Sequence, residues 1–217
     1  MEHQLEFWGS FSTSIREYVE SGILDGLDDP TKRDLLEYID PFTYRSELDI
    51  PKLIVIGTND PYWPIDASRL YIDELSGYSS MVYAANAGHE YEVFTVTQAI
   101  SSMIHNLNTG EILSSLSISE ERSGSSTKFI PTVERGDSEL KELRIFTSSS
   151  PEGDFKRSEF DFKVIEDNQA TEFSFEQPTV YYVEGVFTFG GKGFLFQRLR
   201  EYWANNLTSA AKRSIID

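Results

Sequence analysis

An aspartate and a histidine set 29 residues apart are the residues of this chain whose types and surroundings point most directly to chemistry. Asp60 follows the wholly apolar run Leu53-Ile54-Val55-Ile56 and Gly57, and His89 follows a second strand-like run, Met81-Val82-Tyr83-Ala84. An ionised aspartate can accept a hydrogen bond from one imidazole nitrogen, which fixes the tautomer and frees the other nitrogen to take a proton. Loops past the C-terminal ends of parallel strands are where such groups converge in open α/β sheets. The order and spacing suit the last two members of a Ser…Asp…His hydrolase triad. The plainer alternative is that Asn59-Asp60-Pro61 is a capped turn and Gly88-His89 an ordinary loop.

A nucleophile elbow requires a motif of the Gly-x-Ser-x-Gly type between a strand and a helix. None is present in the sequence. Ser79, in Gly77-Tyr78-Ser79-Ser80-Met81, leads into a strand; Ser10 follows no strand; Ser125 has neither context. His3, His89 and His105 have no metal-ligand spacing, and the chain has no cysteine, so no metal or cofactor site is expected. Gly190-Gly191-Lys192-Gly193 lacks the Ser or Thr of a phosphate loop and reads as a hairpin turn. Tyr62 and Trp63 are placed either to line a pocket or to plug the top of the sheet.

The elements needed to hold Asp60 and His89 can be read on either side of them. Phe11, Ile15, Tyr18, Val19 and Ile23 fall on one helical face, with Ser10 or Ser12 as cap and Gly22 at the end. Asp29-Pro30 starts a second helix that packs through Leu35, Leu36 and Ile39 and stops at Asp40-Pro41. Leu53 to Ile56 lacks alternation, as expected of a parallel strand covered on both faces. A helix from Asp66 through Leu70, Tyr71 and Leu75 to Gly77 links it to the strand at Met81–Ala84 by a right-handed crossover. After His89, the residues Val93, Val96, Ile100, Met103, Ile104 and Leu107 share one face of a helix that Gly110 ends.

From Glu111 the character changes to short β-rich runs: Ile112–Ile118, Lys128–Val133, Leu140–Thr147, Phe160–Ile165, Glu172–Phe175 and Val180–Phe189. Turn residues separate them, which predicts an antiparallel sandwich. Phe160, Phe162, Phe173, Phe175, Tyr181, Tyr182, Phe187 and Phe189 are expected to form its core. Phe194 to Trp203 continues as strand or helix, and the tail from Asn205 is expected to fray. The fold class is therefore α/β: part of a parallel sheet in residues 1–110, then a small antiparallel β-sandwich-like domain in residues 111–217.

Composition narrows the partners. The 217 residues carry 36 acidic and 19 basic side chains, a formal charge of −17. Residues 1–100 hold 18 acids against 6 bases, so the half with Asp60 and His89 is the more acidic. Such a field repels phosphate backbones, and nucleic acid is not an expected partner. No run approaches the ~20 apolar residues of a membrane span. The N-terminus lacks the basic flank and apolar core of a signal peptide. Asn206-Leu207-Thr208 is a glycosylation sequon.

The run PKLIVIGTNDPYWPIDASRLYIDEL…VYAANAGHEY resembles the PhoPQ-activated pathogenicity-related proteins, a family that includes secreted autocrine proliferation repressors of amoebae. Tyr18 to Arg45 is similar to the helical approach to the strand in that family, and Arg144 to Phe155 is a looser match to its β-rich region. The resemblance implies an α/β-hydrolase-like fold followed by a small β-domain, with Asp60 and His89 at the acid and histidine positions. It also implies a serine in a Gly-x-Ser-Lys-Arg-Gly-type turn upstream of anything present here. The expectation is a C-terminal portion of a serine-hydrolase-like protein, catalytically incomplete, with an exposed edge at Leu53–Ile56. The parent would act on a small-molecule or peptide substrate. The alternative is a non-enzymatic secreted signalling or binding protein on the same scaffold, with a cell-surface protein partner. The resemblance favours an extracellular or periplasmic setting.

Overall fold

A computed structural model describes residues 1–24, 29–90, 93–110, 114–124, 126–189, 192–196 and 202–204. The chain divides into two compact units, Met1–Lys52 with Asp60–Ser79, and Leu53–Asn59 with Ser80–Asp217.

The first unit is made of short helical pieces. Helix α1 spans Glu2–Trp8 and ends at Gly9, whose N–H returns to Leu5 O at 2.9 Å. The single helix expected through Phe11–Ile23 is broken into a 3-10 turn, Thr13–Ile15, and the five-residue α2, Arg16–Glu20. Ser12 explains the break. Its hydroxyl accepts the Ser14 N–H at 3.0 Å and donates to Pro61 O, which fixes Ser12 in an extended conformation (φ −60°, ψ 139°). Serine side chains that bond the local backbone compete with helix in this way. Ile15 is buried, but Tyr18 of the expected face is exposed.

Helix α3, Pro30–Ile39, starts as read from the sequence, with Asp29 accepting the Thr31 N–H at 2.9 Å and proline in the first turn. Asp40 ends it and caps the 3-10 segment Pro41–Glu47 through Phe42 N–H at 3.0 Å. The expected packing through Leu35, Leu36 and Ile39 is not observed: Leu35 and Ile39 are exposed and Leu36 is half-buried. The helix expected from Asp66 to Leu75 is reduced to two 3-10 turns, Ala67–Leu70 and Ile72–Glu74. Tyr71 between them has φ −142°, outside the helical region, so no continuous ladder can form.

The two strands nearest Asp60 and His89 are β1, Lys52–Gly57, and β2, Ser79–Ala84, which form a two-stranded sheet. Lys52 N–H bonds Tyr78 O at one end and Thr58 N–H bonds Ala84 O at the other, at 2.9 and 3.0 Å. Both partners advance together along the chain, so the strands are parallel. Only these two parallel strands are present among the described residues, and Leu53–Ile56 is half-buried, not covered on both faces. Helix α4, Val93–Thr109, has the predicted extent. Its expected core face is open, however: Val93, Ile100, Ile104 and Leu107 are exposed, while Ala99 and Ser102 are the buried residues. Val96 and Met103 of the same stripe are half-buried.

The β-rich part follows the sequence closely. Strands β3 (Ser115–Ser123), β4 (Ser126–Glu134) and β7 (Thr171–Ser174) form one antiparallel sheet. Strands β5 (Glu139–Ser149), β6 (Asp161–Ile165), β8 (Thr179–Phe189), β9 (Lys192–Phe196) and β10 (Tyr202–Ala204) form another, in which β8 pairs with β5, β9 and β10. Phe189 pairs with Lys192 in the antiparallel β8–β9 ladder; Gly190 and Gly191, where the sequence places a hairpin turn, lie outside the described residues. The segment from Phe194 to Trp203, open between strand and helix in the sequence, contributes β9 and β10. Residues 111–113, Ser125 and the tail with its sequon lie outside the described residues.

Alternation along these strands builds one core. Leu116, Ile118, Phe129 and Val133 from the first sheet meet Leu143, Ile145, Ile165, Tyr181, Val183 and Phe187 from the second. Phe129 lies 4.5 Å from Tyr181 edge-on, an arrangement the ring quadrupoles favour. The buried Tyr181 hydroxyl donates to Glu120, which also pairs with Arg122. On the opposite face of β8, Tyr182 stacks on Phe146 at 4.6 Å and on Tyr83 of β2 at 5.3 Å. Of the expected aromatic core, Phe162 is the exception: it is 53% exposed on β6, with Arg144 over its ring. The Phe189 side chain lies outside the described residues.

Candidate functional site

Parallel pairing carries the C-terminal ends of β1 and β2 to the same edge of their sheet, and the residues beyond those ends are the candidates. After β1, which ends at Gly57, come Thr58, Asn59 and Asp60; after β2 comes the loop 85–89. The two turns are sewn together. Asn59 N–H bonds Ala87 O at 2.9 Å, and Asn86 N–H bonds the Thr58 hydroxyl at 2.8 Å. The approach is so close that a Cβ on Gly57 would sit 2.2 Å from Gly88 O and 2.4 Å from Ala87 O. Only glycine fits there. Sequence reading placed Gly57 as a strand end; its second role, letting the two loops touch, is a tertiary fact.

His89 ends this loop and is exposed, so its imidazole is accessible to solvent. It is preceded by Asn86, which adopts φ 58°, a left-handed conformation that asparagine tolerates better than most residues. That conformation accompanies a reciprocal pair: the Asn86 amide donates to Phe160 O at 3.0 Å and accepts Phe160 N–H at 2.7 Å. Asn59 reaches the same segment, donating to Phe155 O at 2.8 Å and Ser158 O at 2.7 Å, while its own oxygen accepts the Thr58 hydroxyl at 2.9 Å. The sequence places these two asparagines in the turn at Asp60 and the loop leading to His89, but nothing in it signals their bonds to residues 155–160.

Asp60 belongs to the first unit, where it is 7% exposed. Its Oδ1 accepts the N–H groups of Tyr62 at 2.7 Å and Trp63 at 3.4 Å, the capped turn that was the plainer reading of this residue. The loop is held from below by α1. Fully buried Gln4 donates to Tyr62 O at 2.7 Å and accepts Ser12 N–H at 2.8 Å, and the Ser12 hydroxyl donates to Pro61 O. Tyr62 is half-buried and Trp63 is 38% exposed, so Trp63 is not a closed plug. Within this unit His3 bonds Asp66 at 2.7 Å, a histidine–carboxylate contact that no sequence pattern signalled. It staples α1 to the turn that follows Asp66.

Of the serines considered, the two that are described, Ser10 and Ser79, have no elbow geometry. Ser79 is a residue of β2 itself, Ser10 follows α1 in an exposed bend, and Ser125 lies outside the described residues. Among the described residues no group of His, Asp and Glu could hold a metal ion. No described helix is long and apolar enough to cross a membrane.

Comparison with known proteins agrees with the resemblance. Autocrine proliferation repressor protein A of Dictyostelium discoideum is 26% identical over 76 residues, which is 35% of this chain and 15% of that protein. This chain thus matches a small part of that relative's length. A DUF3823 family protein from Bacteroides ovatus covers 60% of this chain and 62% of its own at 7% identity, with a TM-score of 0.26, too low to carry an argument. A model of the PhoPQ-activated pathogenicity-related proteins matches residues 1–156. With most of its length matched, including β1, β2 and both candidate loops, this chain belongs to the PhoPQ-activated pathogenicity-related protein family.

Proposed function

We propose that this chain is the C-terminal portion of a serine-hydrolase-like protein. In this reading it supplies the receiving end of a proton relay, with Asp60 as the orienting acid and His89 as the base. The observation that carries the reading is the parallel β1–β2 pair, with each candidate following the end of one strand. That is the arrangement hydrolase loops require. The α/β part through Gly110 would carry the relay, and the β-rich part after it would be a separate supporting region. The chain is catalytically incomplete by itself, because no serine in it stands at an elbow. The substrate class would be a small ester or a peptide.

The test is hydrolysis of p-nitrophenyl esters by this chain and by the longest product of its gene, each with and without His89→Ala. The 217-residue chain is expected to show no turnover above buffer. In the longer product, His89→Ala should lower kcat by ~10³-fold or more, as loss of a general base does. Equal rates for wild type and variant would remove His89 from the mechanism.

A second reading has its own support. The Asp60 carboxylate already serves a backbone turn, and the relative above is named a proliferation repressor. A secreted, non-enzymatic signalling or binding protein on this scaffold would use the β-rich region as its surface. Saturable binding to cells, unchanged by His89→Ala, would favour it.

A further inference from the structure

The two asparagines beside the candidate residues do more than close turns. Four side-chain hydrogen bonds, between 2.7 and 3.0 Å, run from Asn59 and Asn86 to the backbone of Phe155, Ser158 and Phe160. The receiving segment is itself anchored, since the Phe155 and Phe160 rings are each 3% exposed. Phe160 lies 6.3 Å from Tyr182, which stacks on Tyr83 at 5.3 Å, so the same aromatic group touches β2 just before the His89 loop. An amide that pairs with a backbone N–H and C=O together fixes both the position and the rotation of its own loop, as two points of attachment fix a lever. Asn86 does this three residues before His89, with its backbone already bonded to Thr58.

We propose that residues 155–160 are a brace for the loops after β1 and β2, and that Asn59 and Asn86 are positioning residues that set the imidazole of His89. The proposal rests on the reading of His89 as a base. It gives the β-rich region a role in the site: it holds the histidine loop in one conformation by backbone recognition. Side-chain identity at Ser158 is then unimportant, whereas the path of the chain through 155–160 is not.

The experiment is solution NMR on the 217-residue chain, with amide exchange and the His89 ring followed together. Asn86→Gly keeps the left-handed backbone accessible and removes the clamp. It should speed exchange of the Phe160 and Asn59 amides at least tenfold, and shift or broaden the His89 ring signals. The Ile145 and Val183 amides should be unaffected. Asn86→Asp, which keeps the acceptor for Phe160 N–H, should restore part of the wild-type ring signature. A released Phe160 amide with the His89 ring signals unchanged would overturn the proposal. Should Asn86→Gly fail to fold, the wild-type chain still decides. Exchange of the Asn59, Asn86 and Phe160 amides within threefold of one another supports one braced unit, and rates differing a hundredfold or more overturn it. Ester hydrolysis insensitive to His89→Ala would sink the base assignment while leaving these exchange results standing, so the two failures are distinguishable.

Discussion

Adjacent tyrosines on β8 meet opposite environments because successive strand residues point to opposite faces. The buried Tyr181 hydroxyl is bonded to Glu120, whereas that of Tyr182 has no hydrogen-bond partner among the described residues. Removing one partner of a buried hydrogen bond leaves the other unsatisfied, so Tyr181→Phe should destabilise by about 1–2 kcal/mol. Removing an orphaned hydroxyl relieves a cost, so Tyr182→Phe should be neutral or stabilising by up to about 1 kcal/mol. Urea unfolding of the two variants checks this, and the same sign for both would refute it. Gly57→Ala is the severe case. Its Cβ would lie 2.2 Å from a backbone oxygen that has no side-chain freedom to yield. A loss of about 3 kcal/mol or more is expected, beyond the ordinary range for overpacking. Its near neighbour Gly88, with nothing closer than 3.9 Å, should tolerate alanine far better.

Among the elements, caps and alternation succeed locally and helical faces do not. The α3 start is a local structure, an Asp side chain closing on the N–H two residues ahead, and it is present as read. Asp29→Ala should therefore cost about 1 kcal/mol, visible as loss of helical ellipticity or a lower Tm. Apolar periodicity identified α4 as a helix, but its stripe of Val93, Ile100, Ile104 and Leu107 remains exposed. Periodicity reports which side chains would prefer burial; whether a neighbour covers them is decided elsewhere. Strands β3 and β4 are less ambiguous because each has its partner close by in the chain. Each of β3 and β4 pairs with a sequence neighbour across a short turn, and the alternating residues of β4 go in and out as written.

For the whole molecule, charge and burial set opposite responses to solution conditions. At −17 the chain repels itself, so added salt should raise stability modestly at neutral pH by screening. Raising pH should have the reverse effect. Burial, with Glu120 beside it, holds the Tyr181 phenol well above its ordinary value near 10. Burial and then the charge of Glu184 raise Tyr182. Above pH ~10 the unfolded chain ionises these phenols while the folded chain keeps them protonated. The unfolded state then binds fewer protons, and stability falls by up to about 1.4 kcal/mol per pH unit for each tyrosine. Below that pH the contribution is intact. Alkaline titration followed by tyrosine absorbance and far-UV circular dichroism together should show ionisation coinciding with unfolding. Ionisation of every tyrosine before unfolding would contradict it.

What could be read from residues alone was set by short-range rules. Strand alternation, Asp-Pro caps and glycine-bearing turns are decided within a few residues, and β1, β2, α3, α4 and most of the β strands lie where those rules put them. Ser12 illustrates the limit. Its hydroxyl reaches Pro61 O and its backbone reaches Gln4, so the helix expected at Phe11–Ile23 is broken by partners distant in the chain. The loops are the second case. Asp60 and His89 were legible as a pair of residue types after two strands. The hydrogen bonds of Asn59 and Asn86 to Phe155, Ser158 and Phe160 were not, because they join residues 74 to 99 positions apart through backbone atoms that carry no sequence signature. Any residue has an N–H and a C=O. Only the folded chain selects which of them an asparagine will hold.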